Sequence, residues 1–313
     1  MRGRMTELGT GVKRGHKMAR TKRGVCRLHL DERLLSHGHV TPRFVYLWQG
    51  AGFRSIGQPN FRREDGPRRH LFCADCEERL SGWETKVQRR IFEPLHEGRA
   101  RFEYGSWFAK FAASLMFRIL TVSKEEHALD EFPSSSLALV DEALETWRTY
   151  MSGTGPALGE FRVHALVLDP IADRTAAKSY EPGINTYLAL AVGNRILRTN
   201  RGCFVVGKMG RLLIVGVVQN GSGWSGGQID QKEGVLVSGP SQIPAWLRQY
   251  FNSETVRSMR AFAQVSERQR QRITTELANS GPSNCFRDAL RLDVRLFGWR
   301  ALAGRIASRR PPT

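Results

Sequence analysis

The stretch Leu71-Phe72-Cys73-Ala74-Asp75-Cys76-Glu77 places two cysteines two residues apart, after an apolar pair and at the head of a helical pattern. From Cys76 to Arg90, Leu80, Trp83 and Val87 recur at spacings of three and four with charged residues opposite, which predicts a helix beginning at the second cysteine. Upstream, Cys26-Arg27-Leu28-His29 repeats the spacing with histidine as the second member. Two such pairs are the usual source of a tetrahedral zinc site. A spacing of two lets one tight turn aim both side chains at one ion, and a helix start adds N–H groups that favour thiolate over thiol. Cys26, His29, Cys73 and Cys76 are therefore expected to hold one structural Zn2+ ion in a treble-clef arrangement. Competing readings make Cys76 a buried thiol beside an exposed Cys73, or make the pair a redox Cys-x-x-Cys. The redox case lacks the strand-helix-strand surroundings of a thioredoxin-like unit.

Between the ligand pairs runs Leu35-Ser36-His37-Gly38-His39-Val40-Thr41-Pro42. Here the sequence resembles the HNH nuclease superfamily, with His39-Val40-Thr41-Pro42 as the His-x-x-Pro segment enclosed by the two pairs. It also resembles a group of bacterial proteins with a Ser-His-x-x-Pro segment, a Leu-Cys-x-x-Cys-Glu helix start and a Trp-x-x-x-Phe-x-x-Ser-Leu helix, matched here around Ser36 to Pro42, at residues 71–77 and at residues 107–115. The resemblance covers residues 25–120 and implies a ββα-metal unit that hydrolyses DNA. It implies that His39 is the general base, with His37 assisting, and that Mg2+ or Mn2+ stabilises the developing charge. The residue before His39 is Gly38, and Asn60 is the sole asparagine of the loop, so Glu77 or Glu84 is the expected oxygen ligand of that second metal. The alternative gives His37 and His39 a structural role, bonding the zinc ribbon or replacing His29 as fourth ligand, and leaves the glutamates as ordinary ion-paired carboxylates.

Outside this segment the totals set bounds. The chain has 48 Lys and Arg against 30 Asp and Glu, a formal charge of +18, which points to polyanionic partners. Arg62, Arg63, Arg68, Arg69, Arg89 and Arg90 lie in or beside the zinc segment and are the candidate phosphate contacts of a DNA-binding face. Five cysteines are too few for a disulfide scaffold, and Cys203 within an apolar run reads as a small core residue. No apolar run is long enough to span a bilayer and no secretory segment opens the chain, so a cytoplasmic protein without membrane insertion is expected.

The chain divides by texture into a basic arm (1–23), the HNH-like zinc module (24–98), a helical segment (99–155), a β-rich domain with C-terminal helices (156–285) and a basic tail (286–313). Helices are expected over 104–122 and 137–151, the second closed by Ser152-Gly153-Thr154-Gly155-Pro156. Strands are expected over 161–168, 185–192, 201–206 and 212–218, with Asn220-Gly221 as a turn. Helix returns over 245–278, with Ser266 as an N-cap. The last stretch reads as a basic amphipathic helix or a frayed tail. The fold class that follows is α+β: an N-terminal zinc module, central helices, and a small C-terminal antiparallel sheet flanked by helices. The β-rich half carries no chemical motif and is the candidate surface for a protein partner.

Overall fold

The computed structural model describes residues 21–49, 53–55, 58–63, 66–200, 202–220, 223–239, 243–278 and 283–302, with backbone alone for 53–55, 58–63, 274, 276–278 and 283. The elements run β1 (Lys22–Val25), β2 (Glu32–Leu35), β3 (Gly38–His39), α1 (Arg43–Gln49), β4 (Phe53–Ser55), β5 (Gln58–Arg63), β6 (Arg68–Arg69) and α2 (Ala74–Val87). A π-helical turn, Gln88–Phe92, carries α2 into α3 (Glu93–His96), followed by β7 (Arg101–Gly105), α4 (Ser106–Glu125) and α5 (Ser134–Ser152). The remainder is β8 (Val163–Val167), α6 (Arg174–Ala177), α7 (Ile184–Leu190), β9 (Val192–Thr199), β10 (Gly202–Met209), β11 (Leu212–Asn220), β12 (Glu233–Val237), α8 (Ala245–Ala263), α9 (Glu267–Ala278) and α10 (Ser283–Phe297). The result is a mixed α/β protein with small antiparallel sheets, as its sequence indicates.

The largest sheet has strand order β8-β11-β10-β9, all antiparallel. Strand β10 is buried along its whole length and β11 over all but its last residues, because helices cover both faces. Val163, Ala165, Val205 and Ile214 belong to the core shared with α4 and α5, while Leu166, Phe204, Leu213 and Val215 belong to the core shared with α7 and α8. Coverage on both sides explains why these strands read as continuous apolar runs rather than alternating ones. Helix α4 is buried from Phe111 through Val122, each large side chain contributing about 1.5–3 kcal/mol. Its close approach needs Gly216, where a Cβ would stand 2.8 Å from both Met116 and Trp147.

The N-terminal residues form a different texture of short pairings around α2. Strand β1 pairs with β2 and β3 pairs with β6, the second register placing His39 opposite Arg68. Helix α2 buries Cys76, Leu80 and Val87 and carries Asp75 and Glu77 in its first turn, where the helix dipole favours acidic side chains.

Several sequence expectations change. The segment 185–192 is not a strand: α7 occupies Ile184–Leu190, because the buried Asp293 carboxylate accepts hydrogen bonds from the backbone N–H groups of Asn185 (3.0 Å) and Thr186 (2.9 Å) and caps that helix from a distance. The same contact fastens α10, so residues 283–297 are a docked helix rather than a frayed tail. Lys22 and Arg23, read as the end of a basic arm, lie in β1; residues 1–20 are outside the described residues. The β10–β11 turn is at Gly210, and Gly221 is outside the described residues. Helix α5 ends at Gly153 in the left-handed region, φ 76°, and Ser266 caps α9 by accepting from the Gln269 N–H at 3.4 Å.

Candidate metal centre

The turn between β1 and β2 is a tight knuckle. The N–H of Cys26 donates to Asp31 O at 2.9 Å and that of Leu30 to Cys26 O at 2.8 Å, with Leu30 at φ 63°. The strand end before α2 docks onto it: the Arg27 N–H donates to Leu71 O, the Ser36 N–H to Phe72 O, and Leu35 bridges Cys73. The knuckle thereby presents Cys26 and His29 to the first turn of α2, which supplies Cys73 and Cys76.

Among the described residues these four form a group whose ligand atoms all lie within 4.8 Å of one another. Cys26 Sγ and Cys76 Sγ are 3.8 Å apart, and His29 Nδ1 is 3.4 Å from the sulfurs of both Cys73 and Cys76. A tetrahedron with metal–sulfur bonds of about 2.3 Å and a metal–nitrogen bond of about 2.05 Å has edges of about 3.8 and 3.6 Å. The spacing is far too long for a disulfide, whose sulfurs would be about 2.05 Å apart. The cluster has the composition and geometry to bind one metal ion.

Electrostatics point the same way. Burial works against a thiolate at Cys26, but N–H groups of Cys73, His29 and Leu28 outweigh it and lower its pKa. Burial, then the neighbouring cysteines, push Cys76 well above the ordinary thiol value. A second negative charge is unfavourable here without a cation, and a bound divalent ion removes that penalty.

The expected catalytic residues do not join this cluster. The rings of His37 and His70 stack with centroids 4.6 Å apart. His39 lies on β3, its Nε2 accepting from Arg68 Nε–H at 3.0 Å. Because an arginine Nε–H can only donate, this Nε2 carries a lone pair and the ring is neutral. Glu77 approaches from the other side: a Cβ on Gly38 would lie 2.2 Å from Glu77 Oε1, so the carboxylate fills the space a side chain at 38 would take. Successive side chains leave a strand on opposite faces, so the His39 ring and Glu77 lie on opposite faces of β3.

Arg118 of α4, absent from the sequence-based site, completes this region. It is 3% exposed; its Nη1 donates to His39 O at 3.0 Å and pairs with Glu84 Oε1 at 2.8 Å, while its Nε donates to Ser114 O at 3.3 Å. Burial raises Glu77 to about 7, the Arg118 charge opposing that rise and Glu84 adding to it. The available signal was a single charged residue inside Leu115-Met116-Phe117-Arg118-Ile119-Leu120, which periodicity reads as core. Beyond the cysteine cluster, no three His, Cys, Asp or Glu side chains converge among the described residues.

The candidate phosphate contacts differ in their surroundings. Arg68 is engaged with His39, and Arg69 pairs with Glu126. Arg89 and Arg90 are exposed on the π-helical turn. Arg62 and Arg63 lie in β5, and their side chains, like that of Asn60, are outside the described residues. Cys203 is buried and its thiol is pushed up to about 11 by burial. No described helix is long and apolar enough to cross a membrane.

No protein-family model, curated protein or solved structure matches the chain.

Proposed function

We propose that this protein binds nucleic acid, probing phosphates from a zinc-organised, HNH-like treble clef. The observation that carries the reading is the placement of the charge. Residues 1–101 hold 22 of the 48 Lys and Arg and only 11 of the 30 Asp and Glu, and residues 245–313 hold 13 and 5, which leaves the middle close to neutral. Among the described residues, α10 touches α3 where the Cys285 thiol donates to His96 O at 3.5 Å. Exposed Arg287, Arg291 and Arg295 line one face of α10, and exposed Arg89 and Arg90 precede α3. A knuckle from one hairpin and the first turn of the following helix, sharing one zinc through Cys26, His29, Cys73 and Cys76, makes a rigid platform for such a face.

The test is a mobility shift of zinc-loaded protein on short duplex DNA and on single strands across a salt series. Several phosphate contacts give a steep loss of affinity, about one decade or more between 50 and 200 mM salt. Arg89→Ala/Arg90→Ala should shallow that slope, and binding that ignores both salt and these changes refutes the reading.

A second reading, hydrolysis of DNA, is favoured by one observation: the neutral His39 ring with an accepting Nε2. In that reading water replaces Arg68 at Nε2 and His39 removes its proton as the water attacks phosphorus, while the bond from phosphorus to the leaving sugar oxygen breaks and that oxygen takes a proton from solvent. Plasmid incubated with Mg2+ or Mn2+, beside His39→Ala and a chelator control, separates the two. Nicking lost in the variant establishes hydrolysis; intact plasmid that still shifts in the gel leaves binding alone.

A further inference from the structure

The pocket behind β3 has the makings of a cation site. Two carboxylates of α2, Glu77 and Glu84, and the carbonyl oxygen of His39 surround one buried region, and such a mixture of carboxylate and carbonyl oxygens is what hard divalent ions select. The positive charge there comes from the protein. Arg118 reaches in from α4, and its Nη1 pairs with Glu84 Oε1 at 2.8 Å and donates to the His39 carbonyl at 3.0 Å. Its remaining Nη2 is buried and has no hydrogen-bond partner among the described residues.

We propose that Arg118 is the resident cation of this pocket, its guanidinium standing among Glu77, Glu84 and the His39 carbonyl where these oxygens would otherwise bind a divalent metal ion. A buried ion pair is a weak source of stability and an unpaired donor lowers it further, so packing alone does not favour an arginine at this position of an apolar helix. What the guanidinium does supply is a fixed, non-exchangeable charge that ties α4 to both β3 and α2. A divalent ion entering the same space would meet that charge at close range with little water to screen it. The inference does not depend on whether the protein binds nucleic acid, and it removes Glu77 and Glu84 as metal ligands of the hydrolysis reading.

The experiment is Mn2+ titration of the zinc-loaded full chain, followed by the electron paramagnetic resonance signal of free Mn2+ and by thermal unfolding. Wild-type protein should bind no Mn2+ that depends on Glu77. Arg118→Met should gain about one Mn2+ per chain, the number one cluster of oxygen ligands accepts. Its thermal midpoint should rise with added Mn2+ while that of the wild type stays put, and Arg118→Met/Glu77→Gln should lose the gain. A wild-type Mn2+ site abolished by Glu77→Gln overturns the proposal, as does a folded Arg118→Met protein that takes up no additional ion. If Arg118→Met fails to fold without metal, recovery of its near-ultraviolet dichroism on adding Mn2+ supports the proposal. Failure to recover, with Arg118→Lys also unfolded, makes Arg118 a packing residue and overturns it.

Discussion

Lowering the pH from 7 to 5 should destabilise this protein through two histidines outside the Cys/His cluster, His164 and His96. His164 on β8 is fully buried, its Nδ1–H donating to Gly226 O at 2.8 Å and its ring stacked on Trp224. Burial lowers its pKa to about 4. His96 of α3 is also lowered to about 4, chiefly by burial; its Nδ1 donates to Phe92 O at 2.7 Å and its Nε2 accepts from the Arg211 N–H at 3.2 Å. A ring neutral in the folded protein but protonated near pH 6.5 when unfolded makes the unfolded chain bind more protons between those values. Stability is therefore fully present above about pH 6.5 and falls as pH drops toward 4. Between pH 7 and pH 5 each ring removes about 2 kcal/mol, and the pair about 4 kcal/mol, against a typical total of about 5–15 kcal/mol. Urea unfolding at both pH values measures the effect. The Cys/His cluster also gains protons in acid, so the decisive quantity is the difference between wild type and His164→Gln, which keeps a donor for Gly226 O but does not titrate. The variant should lose about 2 kcal/mol less than wild type over that interval. Equal losses in the two proteins would refute a buried, neutral His164.

Other consequences follow from single contacts. Cys76→Ser should abolish binding of one zinc per chain, read by metal analysis after gel filtration, and a chelator should unfold the segment around α2 while leaving the four-stranded sheet, read as amide exchange, protected. Lys208 is fully buried with its Nζ bonded to the carbonyls of Leu188 (2.9 Å), Ala191 (3.2 Å) and Gly210 (2.7 Å). Lys208→Met should cost about 3 kcal/mol or more in denaturant unfolding, since it strands carbonyls at the end of α7. Gly38→Ala forces Glu77 aside, because the new Cβ meets its carboxylate at 2.2 Å; the variant should retain zinc but speed amide exchange at Val40, whose N–H donates to Pro67 O at 3.0 Å.

The cysteine and histidine cluster was legible because its chemistry is local: two residues between ligands suffices to aim a pair, and only the meeting of the two pairs needed the fold. Helices α2, α4 and α5 were legible for the same reason, since an apolar stripe or an apolar girth is a property of one segment. Strand against helix at 185–192 was not, because Asp293, more than a hundred residues away, supplies the cap that turns those residues into α7. Nor was the environment of His39. Sequence places a histidine and a glutamate within a plausible motif, but which face of β3 each occupies depends on strand geometry, and the cation paired with Glu84 comes from Arg118 on another helix. Spacing thus determined the metal centre, while charge compensation in the pocket behind it was decided by packing, because a buried carboxylate finds its partner through space rather than along the chain.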